Sequence, residues 1–351
     1  MQNIKSVLTT SIIIVSLIIP LIGICLLYDP NIKFEITNYI ISITIFTIYQ
    51  SFLSALISLI IGSIFAYYLK KNSEIGIIKL IVNLLSILFV MPTIIIVLGM
   101  LTFFNSFTNI YGPFGIVFCH VILNLPLATR IIYQSLNDIS GNEYILAEQM
   151  GLKKFETFLA TEWQIIKKNA PSLFALIFFI CFVSFTPVLI LGGSPKYSTI
   201  EVSIYQSVVF LNNYNTAFYL LILQLLICSI IFFLTFKNFK SENFFLDDRK
   251  IHLKNEIPFR NKFTDYSIII FISLTLFISP IAIFFRGINL KFFEVFSSNY
   301  FLSSLSDTFL ICFGSGILSL LFTLNILQIL DKSKKSYEYL LYIFLVLSPG
   351  I

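Results

Sequence analysis

"IYQSFLSALISLIIGSIFAYYL", Ile48–Leu69, contains no Asp, Glu, Lys or Arg, and Lys70 and Lys71 follow it directly. About 20 apolar residues cross a bilayer as a helix. Backbone inside lipid must satisfy its own hydrogen bonds, so a run of this kind reads as a helix rather than a loop. The same criterion gives further spans at Val7–Tyr28, Leu80–Phe104, Phe114–Leu136, Leu173–Leu191, Ala217–Phe236, Tyr266–Phe285 and Phe301–Leu330, and another run begins near Tyr337. The chain is 57% hydrophobic and only 12% charged, whereas soluble domains hold roughly 25% charged residues. Nothing in it shows the alternating pattern of a membrane barrel. The fold class is all-α, a polytopic transmembrane helical bundle.

Charge then gives the bundle an orientation. With the N-terminus in the cytoplasm, nineteen of the 23 Lys and Arg fall on the cytoplasmic side, and only Lys33, Lys196, Arg286 and Lys291 fall outside. That asymmetry is the positive-inside signal. The net charge of +5 is scattered over separate loops, which argues against a nucleic-acid surface. The first apolar run has a weak n-region and no small-residue cleavage site, so it reads as a retained span rather than a leader. Cys25, Cys119, Cys181, Cys228 and Cys312 stand singly inside apolar runs. They have neither metal nor redox spacing.

Against this background "EYILAEQMGLKKFETFLATEW", Glu143–Trp163, is conspicuously charged. It lies in the long cytoplasmic connection 137–171. Helix formers fill Glu143–Met150, and Gly151 suits a left-handed C-terminal cap. A second short helix is expected from about Lys153, with Phe155, Phe158 and Leu159 on one face. A helix–glycine–helix elbow with one apolar side suits docking into a partner's groove. It equally suits packing against the chain's own spans.

The chain also repeats itself. Pro20 and Pro92 stand 72 residues apart and Pro280 and Pro349 stand 69 apart, each pair separated by an outer stretch, a glycine-bearing span and a Lys-rich loop. Repeats of this kind are common in transporters. Residues 1–240 form a first unit of about six spans, 237–265 a polar cytoplasmic linker, and 266–351 a second, incomplete unit. Only the first unit contains an elbow, so coupled transport by this chain alone is not expected.

Ionisable and polar groups within the spans are few. His120 and Asn124 lie at i, i+4 on one face of the fourth span, where Pro126 can bend it. They fit a translocation pathway or a helix-packing hydrogen bond, with packing the commoner role for such pairs. Arg130 reads as a snorkelling anchor, His252 as a solvated linker residue, and "GGSPKYST" (Gly192–Thr199) as an outer turn. No charged loop offers a metal-spaced or catalytic set, and no phosphate-binding glycine loop is present. Asp307, near the outer end of the eighth span, is the one acidic candidate for an ion-driven carrier.

The Glu143–Trp163 segment resembles the "EAA" coupling loop of bacterial ABC importer permeases: Glu-Ala-Ala, three residues, Gly, then an apolar-Pro element. Ala147 matches the second Ala and Gly151 the Gly, while Ile145, Leu146 and Gln164 depart at the Glu, the first Ala and the Pro. A closer likeness is to the fused two-unit permeases of thiamine importers. It is carried by "SFLSALIS" (Ser51–Ser58), "HVILNLPLATRIIYQSLNDI" (His120–Ile139), "TEWQ" (Thr161–Gln164) and "FFICFVSFTPVLILGGSPKYSTIEVSIYQ" (Phe178–Gln206).

That resemblance implies a type I ABC importer permease in the bacterial inner membrane. Its partners would be a separate ATP-binding subunit and a periplasmic substrate-binding protein. Its cargo would be thiamine or a phosphate ester of it, with ferric iron the alternative; the chain itself is no enzyme and takes no cofactor. It assigns the ATPase contact to Glu143, Ala147, Glu148, Gly151, Phe155, Phe158, Leu159, Glu162 and Trp163. Phe155, Phe158 and Leu159 would be the anchors, and Glu148, Glu156 and Glu162 the acidic partners.

Overall fold

A computed structural model describes residues 22–23, 26, 37–104, 107–193, 195–236, 262–288 and 292–332. All but three residues of the Val7–Tyr28 span, most of the linker with His252, and the run from Tyr337 lie outside these. So do Pro20 and Pro349, the outer members of the repeat.

The described residues contain helices and no strand. In chain order they are α1 (Asn38–Lys71), α2 (Gly76–Val90), α3 (Thr93–Phe104), α4 (Pro113–Asn137), α5 (Gly141–Gln149), α6 (Lys154–Ala160) and α7 (Glu162–Phe182). There follow α8 (Thr186–Leu191), α9 (Ile200–Val209), α10 (Tyr214–Phe236), α11 (Lys262–Gly287), α12 (Phe292–Phe296) and α13 (Asn299–Lys332). Among them six are long and apolar enough to cross a membrane: α1, α4, α7, α10, α11 and α13. The chain is a multi-pass, all-α membrane protein.

Two expected spans take a different form. The run Leu80–Phe104 is not one straight helix: α2 and α3 meet at a bend of 104°. Pro92 has no amide hydrogen to continue a helix, and it forces the preceding Met91 into extended geometry (φ −62°, ψ 136°). The run Leu173–Leu191 is also broken. Helix α7 begins at Glu162, takes in the polar turn around Lys167 and Lys168, and ends at Phe182. The short α8 then starts afresh with Pro187 in its first turn, where a proline costs no hydrogen bond.

Contacts divide the chain into two compact units, one of Ile36–Ser203 with Phe233–Ile283 and one holding the remainder. The helix α11 belongs, as far as Ile283, to the same compact unit as α1 to α8. In the larger unit α1 packs along α4 and α7, and α4 also meets α2, α3 and α8.

Helix α1 is built inside out. Thr47, Gln50, Ser51, Ser54, Ser58 and Gly62 are buried, while Ile45, Ile48, Tyr49, Phe52, Ile60 and Ile64 are exposed. This is the pattern expected of a helix whose outer solvent is lipid, where small residues let backbones approach. A Cβ at Gly62 would stand 2.7 Å from the Ala128 Cβ of α4. Helix α11 gets equally close to α3, since a Cβ at Gly99 would meet the Ser279 carbonyl oxygen at 2.0 Å. At one end of α11, Lys71 Nζ of α1 lies 3.1 and 3.0 Å from the two carboxylate oxygens of Asp265. Phe65, Leu69, Ile78, Leu85, Ile96, Met100, Ile116 and Ile122 fill the core between these helices.

In the other unit residues 302–321 of α13 are exposed, Asp307 among them.

Candidate functional site

The charged segment folds as a helix–glycine–helix elbow. The α5 helix ends in a paired-bond cap: Leu152 N–H donates to the Ala147 carbonyl (3.1 Å) and Gly151 N–H to that of Glu148 (2.9 Å). These are the two bonds of a Schellman ending, which requires a left-handed residue between them. Gly151 supplies it with φ +72°. Helix α6 then starts with the Glu156 carboxylate accepting from Lys153 N–H at 2.7 Å, half of a capping box. At Thr161 the chain turns directly into α7.

The elbow presents an apolar face and holds itself by another. Leu146, Met150, Phe155 and Leu159 are exposed, and Ile145 with them, while Ala147 is buried. The three residues expected to act together as anchors divide. Phe155 (69% exposed) and Leu159 point outward, whereas Phe158 sits edge-on to Tyr67 of α1 at 5.3 Å and against Trp163 at 6.4 Å. Phe158 and Trp163 staple the elbow to the bundle. Leu146 and Met150 stand at i, i+4, but the run Tyr144–Ala147 conceals their shared face in the sequence because four such residues in a row have no helical period.

The acidic residues divide in the same way. Glu143, Glu148 and Glu156 are exposed. Glu162 does not face outward as expected: it is 6% exposed and its carboxylate is engaged within the chain. Tyr144 donates to it at 3.0 Å, and the Thr161 hydroxyl lies between its other oxygen and the Thr157 carbonyl. Burial first, then the adjacent Glu162 carboxylate, hold the Tyr144 hydroxyl well above its usual range, so it remains a donor at any physiological pH. Glu162 thus ties α5, the first arm of the elbow, to the start of α7.

Deeper in the bundle, His120 and Asn124 are buried together on α4, with Pro126 buried two residues past Asn124. Asn124 Nδ2 donates to the His120 carbonyl (2.8 Å) and to Cys181 Sγ of α7 (3.3 Å). Gln50 Nε2 of α1 donates to the Cys181 carbonyl at 3.0 Å. Gln50, Asn124 and Cys181 thus form a polar knot joining α1, α4 and α7. Gln50 and Cys181 had no motif to mark them. Arg130 reaches Ser86 of α2.

Beyond the knot, Thr47 Oγ1 accepts from Ile200 N–H at 3.0 Å, and Tyr39 meets Ser203 at 3.1 Å. The turn Gly192–Thr199 is shaped by Gly193 at φ +61° and by Gly192, where a Cβ would stand 2.4 Å from the Tyr197 carbonyl oxygen. Among the described residues no group of three or more His, Cys, Asp or Glu is placed to hold a metal ion.

No protein-family model matches the chain. It is similar to the thiamine transport system permease protein ThiP of Haemophilus influenzae, 32% identical over 213 residues that make up 56% of this chain and 39% of that protein. The Escherichia coli K12 protein of the same name is 28% identical over 315 residues, covering 83% of this chain and 57% of its own length. The Brucella abortus one is 30% identical over 198 residues, or 52% and 36%. The chain therefore spans less than two thirds of the length of these relatives, which are named as transport permeases and not as enzymes.

Proposed function

We propose that the chain is the membrane-spanning permease part of an ATP-driven importer. It would take thiamine, or a phosphate ester of it, from a periplasmic binding protein and release it to the cytoplasm. The observation that carries this reading is the elbow, a helix pair with an exposed apolar face in a multi-pass chain similar to proteins named thiamine transport permeases. Such a face enters a partner's groove as an amphipathic helix does. Leu146, Met150, Phe155 and Leu159 are the docking residues, with Glu143 and Glu148 beside them for basic side chains of the ATPase. Gly151 sets the angle between the arms, Ala147 lets α5 sit close to the bundle, and Phe158, Trp163 and Glu162 pass displacement of the elbow to α1 and α7.

The transition is a rigid-body one, in which the elbow and α7 move with the ATPase as it closes. The distribution of Lys and Arg supports a cytoplasmic N-terminus, and Gly192–Thr199 then faces the binding protein. Around the pathway, His120, Asn124 and Pro126 act with Gln50 at the point where α1, α4 and α7 meet. The hydrogen bonds of Asn124 and Gln50 within the bundle favour a packing role for those two, whereas both imidazole nitrogens of the buried His120 have no protein partner.

The test is uptake of labelled thiamine into proteoliposomes holding the importer with its ATPase and binding protein. Uptake should require ATP and be competed by unlabelled thiamine but not by ferric iron. Competition by iron alone would reassign the cargo, and uptake driven by a proton gradient without ATP would reject the importer reading.

A further inference from the structure

Helices α1 and α4 run side by side in the same direction, and two contacts fix their register. At one end Phe46 of α1 packs on the Tyr197 ring with centroids 5.8 Å apart. Gly112, which caps α4, lies against the same ring, its Cβ position 3.5 Å away. At the other end Gly62 of α1 meets Ala128 of α4. On each helix the two anchors are sixteen residues apart. Ser54 and His120 stand midway, about 12 Å from either anchor at 1.5 Å per residue, and so share one level of the bundle. Cys181 of α7 brackets that level. Gln50, one turn before Ser54, donates to its carbonyl, and Asn124, one turn after His120, donates to its sulfur.

This junction holds polar atoms that the helices themselves do not satisfy. His120 is 1% exposed, and neither imidazole nitrogen has a protein partner. On α1 the Oε1 of Gln50 and the hydroxyls of Ser54 and Ser58 are likewise buried without one. A hydroxyl on a helix can bond the carbonyl one turn back, and Thr44, Thr47, Ser51 and Ser63 of α1 all do so. Ser54 and Ser58 do not. Buried polar groups left without a protein partner are costly and point to a bound water or ion.

Charge decides between the two. No Asp, Glu, Lys or Arg lies within two turns of this level on α1, α4 or α7, so an ion here would have no counter-charge in a medium where charges must be paired. Water matches the groups present. An imidazole can both donate and accept, a hydroxyl does both, and the amide oxygen accepts. A buried water takes two to four such partners.

We propose that bound water occupies the junction of α1, α4 and α7 at the level of His120, bonded to its ring nitrogens, to Gln50 Oε1 and to the hydroxyls of Ser54 and Ser58. It completes the polar knot begun by Gln50, Asn124 and Cys181, and it holds α4 to α1 through bonds that can exchange. The site depends neither on the cargo nor on what the elbow docks to.

Solid-state NMR of the full chain in proteoliposomes tests this without disturbing the junction. The chain has two histidines, so His252→Gln leaves His120 as the one source of signals from 15N-labelled imidazole. Polarisation passed from water protons should reach both ring nitrogens, whose shifts should be those of hydrogen-bonded atoms. Ser54→Ala/Ser58→Ala removes two partners of the water and should abolish transfer to at least one nitrogen. Ser63→Ala, which removes a hydroxyl bonded to its own helix, should change neither. Transfer that misses either nitrogen in the unaltered junction would overturn the proposal, whether that nitrogen proves unbonded or bonded directly to serine. So would transfer undiminished by the double substitution. Ring shifts that follow sodium or potassium concentration would make the occupant a cation and overturn it equally.

Discussion

Replacing Gly151 isolates the backbone contribution of the elbow from its contacts. Gly151 holds φ +72°, and a Cβ built there meets no atom within 4 Å. The cost of a side chain is therefore conformational and not steric. An alanine in left-handed geometry costs roughly 1–2 kcal/mol, asparagine less because it tolerates that region, and valine more because it is β-branched. If the ATPase binds only the bent form, its apparent affinity falls by the population of that form. With tenfold per 1.4 kcal/mol, Gly151→Ala should weaken ATPase assembly by about 5- to 30-fold. Asn should fall below that range and Val at its top or beyond. The assay is titration of the ATPase subunit onto the permease in nanodiscs, followed by substrate-stimulated ATP hydrolysis at saturating subunit. The melting temperature should hardly move, because the glycine is exposed and the change is local. Equal losses for Asn, Ala and Val would show that the effect is a contact and not a φ requirement. Unchanged assembly with Val would remove the elbow from the ATPase interface.

Three further outcomes test the architecture. Lys71→Met leaves the Asp265 carboxylate, whose side chain is 2% exposed, without its cation. A loss of about 3–5 kcal/mol is expected, with much of it recovered in Lys71→Met/Asp265→Asn; thermal unfolding in one detergent measures both. Gly62→Val must push against Ala128 at 2.7 Å and the Thr129 nitrogen at 3.2 Å. It should cost about 1–3 kcal/mol by overpacking, whereas Gly76→Ala, with open space around it, should leave the melting curve unchanged. Reporter fusions after Lys71 and Gln164 should be cytoplasmic and one after Tyr197 periplasmic, and a Gln164 fusion found outside would contradict the charge-based orientation.

Much of this could be read in the residues because lipid and backbone chemistry leave little choice. Apolar runs such as Ile48–Leu69 and Phe114–Leu136 had to be helices, and Gly151 was recognisable because little else ends one helix and starts another so abruptly. What could not be read is where side chains point. Phe155, Phe158 and Leu159 share a helical face by spacing, yet Phe158 turns to Tyr67, which lies about ninety residues earlier in the chain. Glu162 looks like its exposed acidic neighbours until Tyr144 and Thr161 are placed around it. Gln50 and Cys181 are ordinary residues whose role exists only because α1 and α7 bring them to α4.

The prolines carry the same lesson further. Pro92, Pro126 and Pro280 sit within apolar stretches and Pro171 at the polar edge of one, and each removes one helical hydrogen bond. Three of them stay inside continuous helices, and only Pro92 accompanies a bend of 104°. The local chemistry is the same in all four, so the difference lies in packing. Past the bend, α3 buries Ile96, Val97, Gly99 and Met100, and Gly99 gives Ser279 of α11 a closeness that any side chain would forbid. Ser279 immediately precedes Pro280, so an otherwise continuous helix lays its own proline turn against the arm of the broken one. A proline in a span therefore permits a break, but contacts across the bundle decide whether the break occurs. Those contacts bring together residues about 180 positions apart, beyond the reach of any local pattern.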